Sequence, residues 1–80
     1  MKKIASDSLR IRKFWPNDRD SPLFEVMSDG EILFDVGRDG GAFSIVFHHA
    51  ISGVMLDANA FEEALVSCRR KIEEEEAING

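Results

Sequence analysis

Two Asp-Gly pairs constrain the fold of this 80-residue chain more than any other feature. Asp29-Gly30 and Asp39-Gly40 each lie between runs of strand-forming residues. A two-residue type I′ hairpin loop needs positive φ at both central positions, which aspartate and glycine tolerate better than most residues. The pattern therefore predicts two consecutive hairpins. Their three antiparallel strands are expected near residues 22–28, 31–37 and 42–50.

These loops also predict a register for the strands. With both pairs as loops, Met27 faces Ile32 and Glu25 faces Phe34, and in the second hairpin Val36 faces Phe43. Residues that face each other share one side of the sheet, and alternate residues of a strand return to it. One face is then apolar except for Glu25. Its apolar residues are Leu23, Met27, Ile32, Phe34, Val36, Phe43, Ile45 and Phe47.

The same register places an apolar row on the opposite face of the sheet. Val26, Leu33 and Val46 form this row, Phe24 lies near it, and His48 faces Glu31 at its border. A sheet face open to water does not usually carry such a row. We therefore predict that the row is covered, either by a partner, by the N-terminal segment or by part of Trp15. The candidate protein-interaction residues are Phe24, Val26, Leu33, Val46 and His48.

Two further strands are indicated outside the hairpins. Residues 9–15 alternate basic and apolar side chains, which is typical of an edge strand that resists unwanted pairing. Residues 16–22 contain two prolines among Asn, Asp and Ser, and they predict a loop. Residues 54–56 are expected to form a short final strand.

A helix is predicted after this last strand. Asp57 is a good N-cap, Leu56 can pack on Phe61 as a hydrophobic staple, and Asn59 is the alternative cap. Helical spacing then produces an apolar stripe that should cover the apolar sheet face. The stripe consists of Phe61, Leu65, Cys68 and Ile72. Four consecutive acids at 73–76 oppose the helix dipole, so fraying is expected from about residue 74.

Together these elements predict a single α+β domain over residues 1–80. It consists of an antiparallel meander of four to five strands with one C-terminal amphipathic helix packed on one sheet face. Residues 1–7 and 74–80 are expected to fray. The chain lacks a run of about 20 apolar residues that could span a bilayer, and a polar stretch follows Lys2 and Lys3 where an export signal would be apolar. A soluble, cytoplasmic protein without membrane association is therefore expected.

The sequence contains no pattern that indicates an enzyme, a cofactor or a metal. Neighbouring residues of a strand point to opposite faces, so His48 and His49 cannot jointly chelate one ion. Glu25 and Asp35 project to opposite faces in the predicted register, which argues against an acid–base pair. Cys68 lies on the inner stripe of the helix, where a structural thiol is expected. No catalytic, cofactor-binding or metal-binding residue is predicted.

Charge is distributed unevenly along the chain. Residues 1–20 hold six basic and three acidic groups, whereas the remaining residues hold four basic and twelve acidic groups. The basic segment also contains aromatic rings, a combination that single-stranded nucleic-acid binders use. An alternative function is therefore that of a nucleic-acid-binding accessory protein. Its candidate residues are Arg10, Arg12, Lys13 and Trp15.

Residues 22–72 resemble small bacterial immunity proteins of polymorphic toxin systems. The resemblance is carried by the hairpin at 30–35, the aromatic strand that follows it, and the Leu56-Asp57 cap leading into Phe61 and Leu65. It implies a cytoplasmic protein that neutralises a toxin by binding it. The preferred hypothesis is thus a small protein-binding module, either an immunity-type protein or a homodimeric accessory protein.

Overall fold

The computed structural model describes residues 1–79. It contains a tight turn between strands at each of the two predicted hairpins. The strands are β1 (Lys2–Ile4), β2 (Arg10–Phe14), β3 (Leu23–Ser28), β4 (Glu31–Asp39), β5 (Ala42–Phe47) and β6 (Val54–Leu56), and helix α1 (Ala58–Asn79) follows them. Short 3-10 turns occupy Ser6–Ser8 and His49–Ile51.

The central sheet has four antiparallel strands in the order β2-β3-β4-β5, and α1 packs mainly against β3 and β4. This confirms the predicted α+β meander with one C-terminal helix. It also confirms that the basic segment is an edge strand, since β2 pairs only with β3 in this sheet. The opposite edge is β5.

The first and last short strands pair with each other rather than with the meander. β1 and β6 lie parallel, with Lys2 opposite Val54 and Ile4 opposite Leu56. Ile4 is buried, with 4% of its surface exposed. The segment 1–7, expected to fray, thus contains a strand and the start of a 3-10 turn. β6 confirms the short final strand predicted at 54–56, whereas β1 was not predicted from the sequence.

The core lies between the sheet and α1. Its buried side chains are Phe24, Val26, Leu33, Phe34, Val36, Ala64, Cys68 and Ile72. Phe61 and Leu65 pack against this cluster, so the predicted helical stripe is confirmed. The Phe34 ring lies 5.2 Å from the Phe61 ring, centroid to centroid, within the range in which aromatic pairs attract each other. Fully burying a side chain such as Ile72 contributes about 1.5–3 kcal/mol to stability.

The first hairpin begins as predicted and then changes register. Asp29 and Gly30 have φ of +53° and +79°, as a type I′ turn requires, and Met27 faces Ile32. Beyond Met27 the pairing shifts by one residue, so that Val26 faces Phe34 and Leu33 has no partner on β3. Leu33 is the extra residue of a β-bulge in β4.

The bulge overturns the predicted face of β3. Glu25 faces Asp35 instead of Phe34, and Phe24 faces Val36. A one-residue slip moves every side chain beyond it to the other face of the sheet. Phe24 and Val26 therefore point into the core, and Glu25 points away from it. This slip also removes the only charge from the predicted apolar face.

The second hairpin turns one residue later than predicted. Its loop residues are Gly40 and Gly41, because Asp39 faces Ala42. Gly40 has φ of +66° and Gly41 does not have a positive φ, which is the pattern of a type II′ turn. Val36 consequently faces Ile45 rather than Phe43, so the predicted pairing is wrong by two residues. A shift of two preserves the faces.

The helix continues through residue 79 instead of weakening at Glu74. Glu75 forms an ion pair with Lys13 on β2, and Glu76 accepts a hydrogen bond from Arg38 Nε on β4 at 2.6 Å. These cations offset the unfavourable position of the acids near the negative end of the helix dipole. The last residue of the segment expected to fray, Gly80, lies outside the described residues.

Candidate protein-interaction surface

The sheet face turned away from α1, called here the outer face, does not carry the predicted apolar row. Phe24, Val26 and Leu33 are at most 4% exposed and belong to the core. The bulge in β4 places them there, because it exchanges the faces of β3 and adds one inward side chain to β4. Of the predicted row, only Val46 lies at the surface, with 56% of its area exposed.

Four charged or titratable side chains replace the row, and we call them the polar row. Arg12, Glu25 and Asp35 face one another in sequence across β2, β3 and β4. Arg12 donates from Nε and Nη2 to Glu25 Oε1 at 2.9 and 2.7 Å. His48 Nε2 lies 2.7 Å from Asp35 Oδ2. His48 therefore contacts Asp35, whereas the register predicted from the sequence placed it opposite Glu31.

Both carboxylates of the polar row are buried and have their hydrogen-bond partners within the row. Glu25 and Asp35 are each 6% exposed, and like charges directly opposite each other on a sheet are destabilising. Arg12 supplies a positive charge beside Glu25, and each carboxylate has its own side-chain hydrogen-bond partner, Arg12 or His48, which compensates for the loss of water. The expectation that Glu25 and Asp35 lie on opposite faces is wrong. The signal for the slip was Glu25 itself, since it was the only charge on the predicted apolar face.

The basic residues of β2 are divided between the two faces of the sheet. Arg12 faces Glu25 on the outer face, whereas Lys13 reaches Glu75 on the helix side. Arg10 donates to the backbone carbonyls of Asp7 and Leu9. The Trp15 indole N–H donates to the Arg19 carbonyl oxygen at 3.0 Å. The four residues proposed for nucleic-acid binding therefore do not form one continuous surface.

The free side of β5 differs from the rest of the sheet surface because it is apolar and uncharged. Ile45, Val46 and Phe47 are 38%, 56% and 57% exposed. No residue of Ala42–Phe47 carries a charge, although charged side chains are a usual protection of sheet edges. We call this side of the strand the β5 edge. Sequence reasoning placed Ile45 and Phe47 on the core face, but α1 lies over β3 and β4 and leaves β5 partly uncovered.

Backbone groups of alternate residues point outward along the β5 edge. The His48 N–H donates to the Leu33 carbonyl oxygen at 2.9 Å. The backbone groups of the even-numbered residues along this strand therefore point towards β4. In an antiparallel strand, the N–H and C=O of one residue point to the same side, and the next residue points to the other side. The outward groups therefore belong to Phe43, Ile45 and Phe47.

A shallow groove separates the β5 edge from α1. Phe43, Ile45 and the exposed Val66 line it, with Glu62 and Arg69 on its helix side. The Arg69 guanidinium lies 4.9 Å from the Phe43 ring centroid, and the Arg38 guanidinium lies 4.2 Å from it. Phe47 lies near the other end of the groove, where its ring is 6.2 Å from Phe34. The groove thus has a basic end at Phe43.

The remaining titratable candidates do not assemble into a reactive site. Burial raises the pKa of Cys68 to about 11, although the nearby charge of Lys71 lowers it slightly. The thiol is therefore protonated at neutral pH, which is unfavourable for nucleophilic chemistry. His49 is exposed in the 3-10 turn after β5. Within residues 1–79, no group of three or more His, Cys, Asp and Glu side chains is arranged to hold a metal ion.

The described part of the chain also has no helix long and apolar enough to cross a membrane. Comparisons with protein-family models, curated proteins and solved structures gave no match.

Proposed function

We propose that this chain is a non-enzymatic protein-binding module that uses its β5 edge to bind an extended strand. The observation that supports this proposal is the combination of apolar side chains and free backbone groups along β5. Strand addition to a sheet edge draws affinity from main-chain hydrogen bonds and specificity from alternate side chains. Both requirements are met at Phe43, Ile45 and Phe47.

Exposure of such an edge is costly unless something covers it. An unprotected apolar edge strand is a template for pairing with other chains, and β5 lacks both charge and proline along its length. The chain does protect its other edge with Arg10, Arg12 and Lys13. We therefore attribute the difference between the edges to binding at β5.

The resemblance to small bacterial immunity proteins suggests one setting for this activity. In that setting the protein acts in the bacterial cytoplasm and neutralises a toxin by covering part of its surface. The homodimeric accessory protein is the second form of the same proposal, since both use a protein partner. The nucleic-acid alternative has less support, because Arg12 and Lys13 lie on opposite faces and each binds a carboxylate of its own chain.

Affinity purification with matched edge variants tests the proposal. Ile45→Lys places a charge in the middle of the β5 edge, and Phe14→Lys places one on β2 at a residue of similar exposure, 48% against 38%. We expect a stoichiometric protein partner, or a second copy of the tagged chain, to be recovered with wild type and with Phe14→Lys but lost with Ile45→Lys. Equal recovery with both variants, or no stoichiometric partner with any of them, would contradict the proposal.

A further inference from the structure

We infer that the strand bound at the β5 edge is β5 of a second copy of this chain, joined antiparallel about a two-fold axis at Ile45. This inference rests on the proposed use of the β5 edge and specifies its occupant. The β5 edge is complementary to itself in three independent ways: in its outward backbone groups, in the side chains of the groove, and in the charges of α1.

The first match is in the backbone. A two-fold axis that relates antiparallel strands runs perpendicular to the sheet, so it pairs residues that lie on the same face. With the axis at Ile45, this residue faces its own copy and Phe43 faces Phe47 of the second copy. All three are residues whose N–H and C=O groups point outward. Each outward group in the strand thus obtains a hydrogen-bond partner, which leaves no buried backbone group unsatisfied.

The second match is in the apolar side chains. Ile45 and Phe47 project towards the side of α1 and are only partly covered in the isolated chain. In the paired arrangement they lie beside the same residues of the second copy, and the two grooves join above them. Val66, which is 59% exposed on the groove side of α1, then lies near the centre of the enlarged apolar surface. Burial of these side chains supplies the favourable term for association.

The third match is in the charges. α1 begins near the Phe47 end of β5, since Phe61 and Phe47 both contact Phe34, and Arg69 lies over Phe43 at the other end. The two-fold axis places the Phe47 end of one copy beside the Phe43 end of the other. Glu62 consequently approaches Arg69 of the second copy, and the symmetry repeats this opposite-charge contact. The β2 edge is not complementary to itself in this way. If β2 paired with β2 of a second copy, its basic residues would lie beside other basic residues.

Sedimentation equilibrium of the purified protein alone measures the association. We expect a concentration-dependent mass that rises to twice the 9.0 kDa of one chain. Ile45→Lys brings two like charges together on the axis, so it should raise the dimer Kd by about 100-fold. Phe14→Lys should leave the Kd unchanged. Thermal unfolding of both variants verifies that they are folded at the temperature of the experiment.

A charge exchange tests the groove contact without altering β5. Glu62→Arg and Arg69→Glu should each weaken their own homodimer by about tenfold, because each creates like-charge contacts across the axis. An equal mixture of the two variants restores opposite charges at both contacts. The mixture should therefore associate more tightly than either variant alone. Failure of the mixture to do so would overturn the proposed arrangement.

Amide hydrogen exchange gives a residue-level readout of the register. The amides of Phe43, Ile45 and Phe47 should gain protection as the protein concentration rises, whereas those of Ser44 and Val46, bonded to β4, should be protected at every concentration. Uniform protection, or protection that does not depend on concentration, would overturn the inference.

A monomer at all concentrations would also overturn it. If the purified chain is monomeric but Ile45→Lys still abolishes capture of a different protein, the binding function of the β5 edge stands and only its occupant changes. If the chain is monomeric and the variant loses nothing, both proposals fail.

Discussion

The two edges of the four-stranded sheet solve the same problem in opposite ways. β2 presents Arg10, Arg12 and Lys13 and commits Arg12 and Lys13 to carboxylates of its own chain. β5 presents Ile45, Val46 and Phe47 without a charge. Each edge strand has free backbone groups along one side, but only β5 combines them with an apolar surface. The β2 edge is protected by its own charges, whereas in the proposed dimer the β5 edge is covered by the second copy.

The largest effect is expected from giving β5 the character of β2. In the proposed register Ser44 faces Val46 of the second copy, so Ser44→Lys with Val46→Lys creates two lysine pairs. We expect this double variant to weaken self-association by more than about 100-fold, the effect expected for Ile45→Lys, because it creates two like-charge pairs instead of one. The matched control is Ser44→Glu with Val46→Lys, in which each pair becomes attractive and association should be retained. Sedimentation measures both double variants. An equal loss of association in both would contradict the register in which Ser44 faces Val46 of the second copy.

The charges of β2 should matter to the stability of the isolated chain. Arg12→Ala leaves the Glu25 carboxylate, whose side chain is only 7% exposed, without its cation. We expect the free energy of unfolding to fall by about 1.5 kcal/mol, the cost of leaving a buried charged group unpaired. Arg10→Ala, which loses only bonds to backbone carbonyls, should change stability by no more than about 0.5 kcal/mol. Urea unfolding measures both variants, and equal losses would contradict a specific role for Arg12.

The turn that leads into β5 offers a smaller and more local test. Gly40 has φ of +66°, whereas Gly41 does not have a positive φ, and a Cβ at either position meets open space. Gly40→Ala should therefore cost about 1 kcal/mol of stability through backbone strain alone. Gly41→Ala should be neutral or slightly stabilising, because alanine restricts the unfolded chain. The reverse order of stabilities in thermal unfolding would contradict a type II′ turn with Gly40 as its first central residue.

The smallest effect is expected at Cys68, which lies on the buried face of α1. Burial raises its pKa from 9.0 to about 11, so a thiol reagent at pH 8 should label it only when the fold opens. Ile45→Lys should alter the labelling rate of dilute protein by less than about twofold, because it leaves the core unchanged. The same pKa shift implies that stability falls as the pH rises from 9.0 towards 11, since only the unfolded thiol ionises there. Fast labelling of folded wild type would show that α1 detaches from the sheet.

Local chemistry in the sequence predicted much of this fold. The Asp29-Gly30 pair favours a type I′ turn. The apolar residues of the stripe that ends at Ile72 all lie on one side of the helix, so that side is the one that is buried. The edge position of β2 followed from its alternating charges. These features depend on residues close together in the chain, so their physical causes can be read without the structure.

The bulge and the polar row could not be predicted in the same way. A single added residue in β4 does not change the strand propensity of the segment, yet it reverses which side chains of β3 are buried. The second loop was ambiguous because Gly40 can serve as the second residue of one turn type or the first residue of another. Contacts such as Glu76 with Arg38 depend on where α1 crosses the sheet, which the sequence pattern alone does not determine.

Leu33 gives this sheet an unusual tolerance to the loss of a residue. Deleting one residue from a paired strand normally displaces every partner beyond it. Deletion of Leu33 would instead join Ile32 to Phe34 as consecutive residues, and these already face the consecutive residues Met27 and Val26. The chain would lose one buried leucine and the carbonyl that accepts the His48 N–H, but Glu25 and Asp35 would still face each other. A shorter β4 would thus keep its pairing with β3 and change the filling of the core and the hydrogen bond to His48.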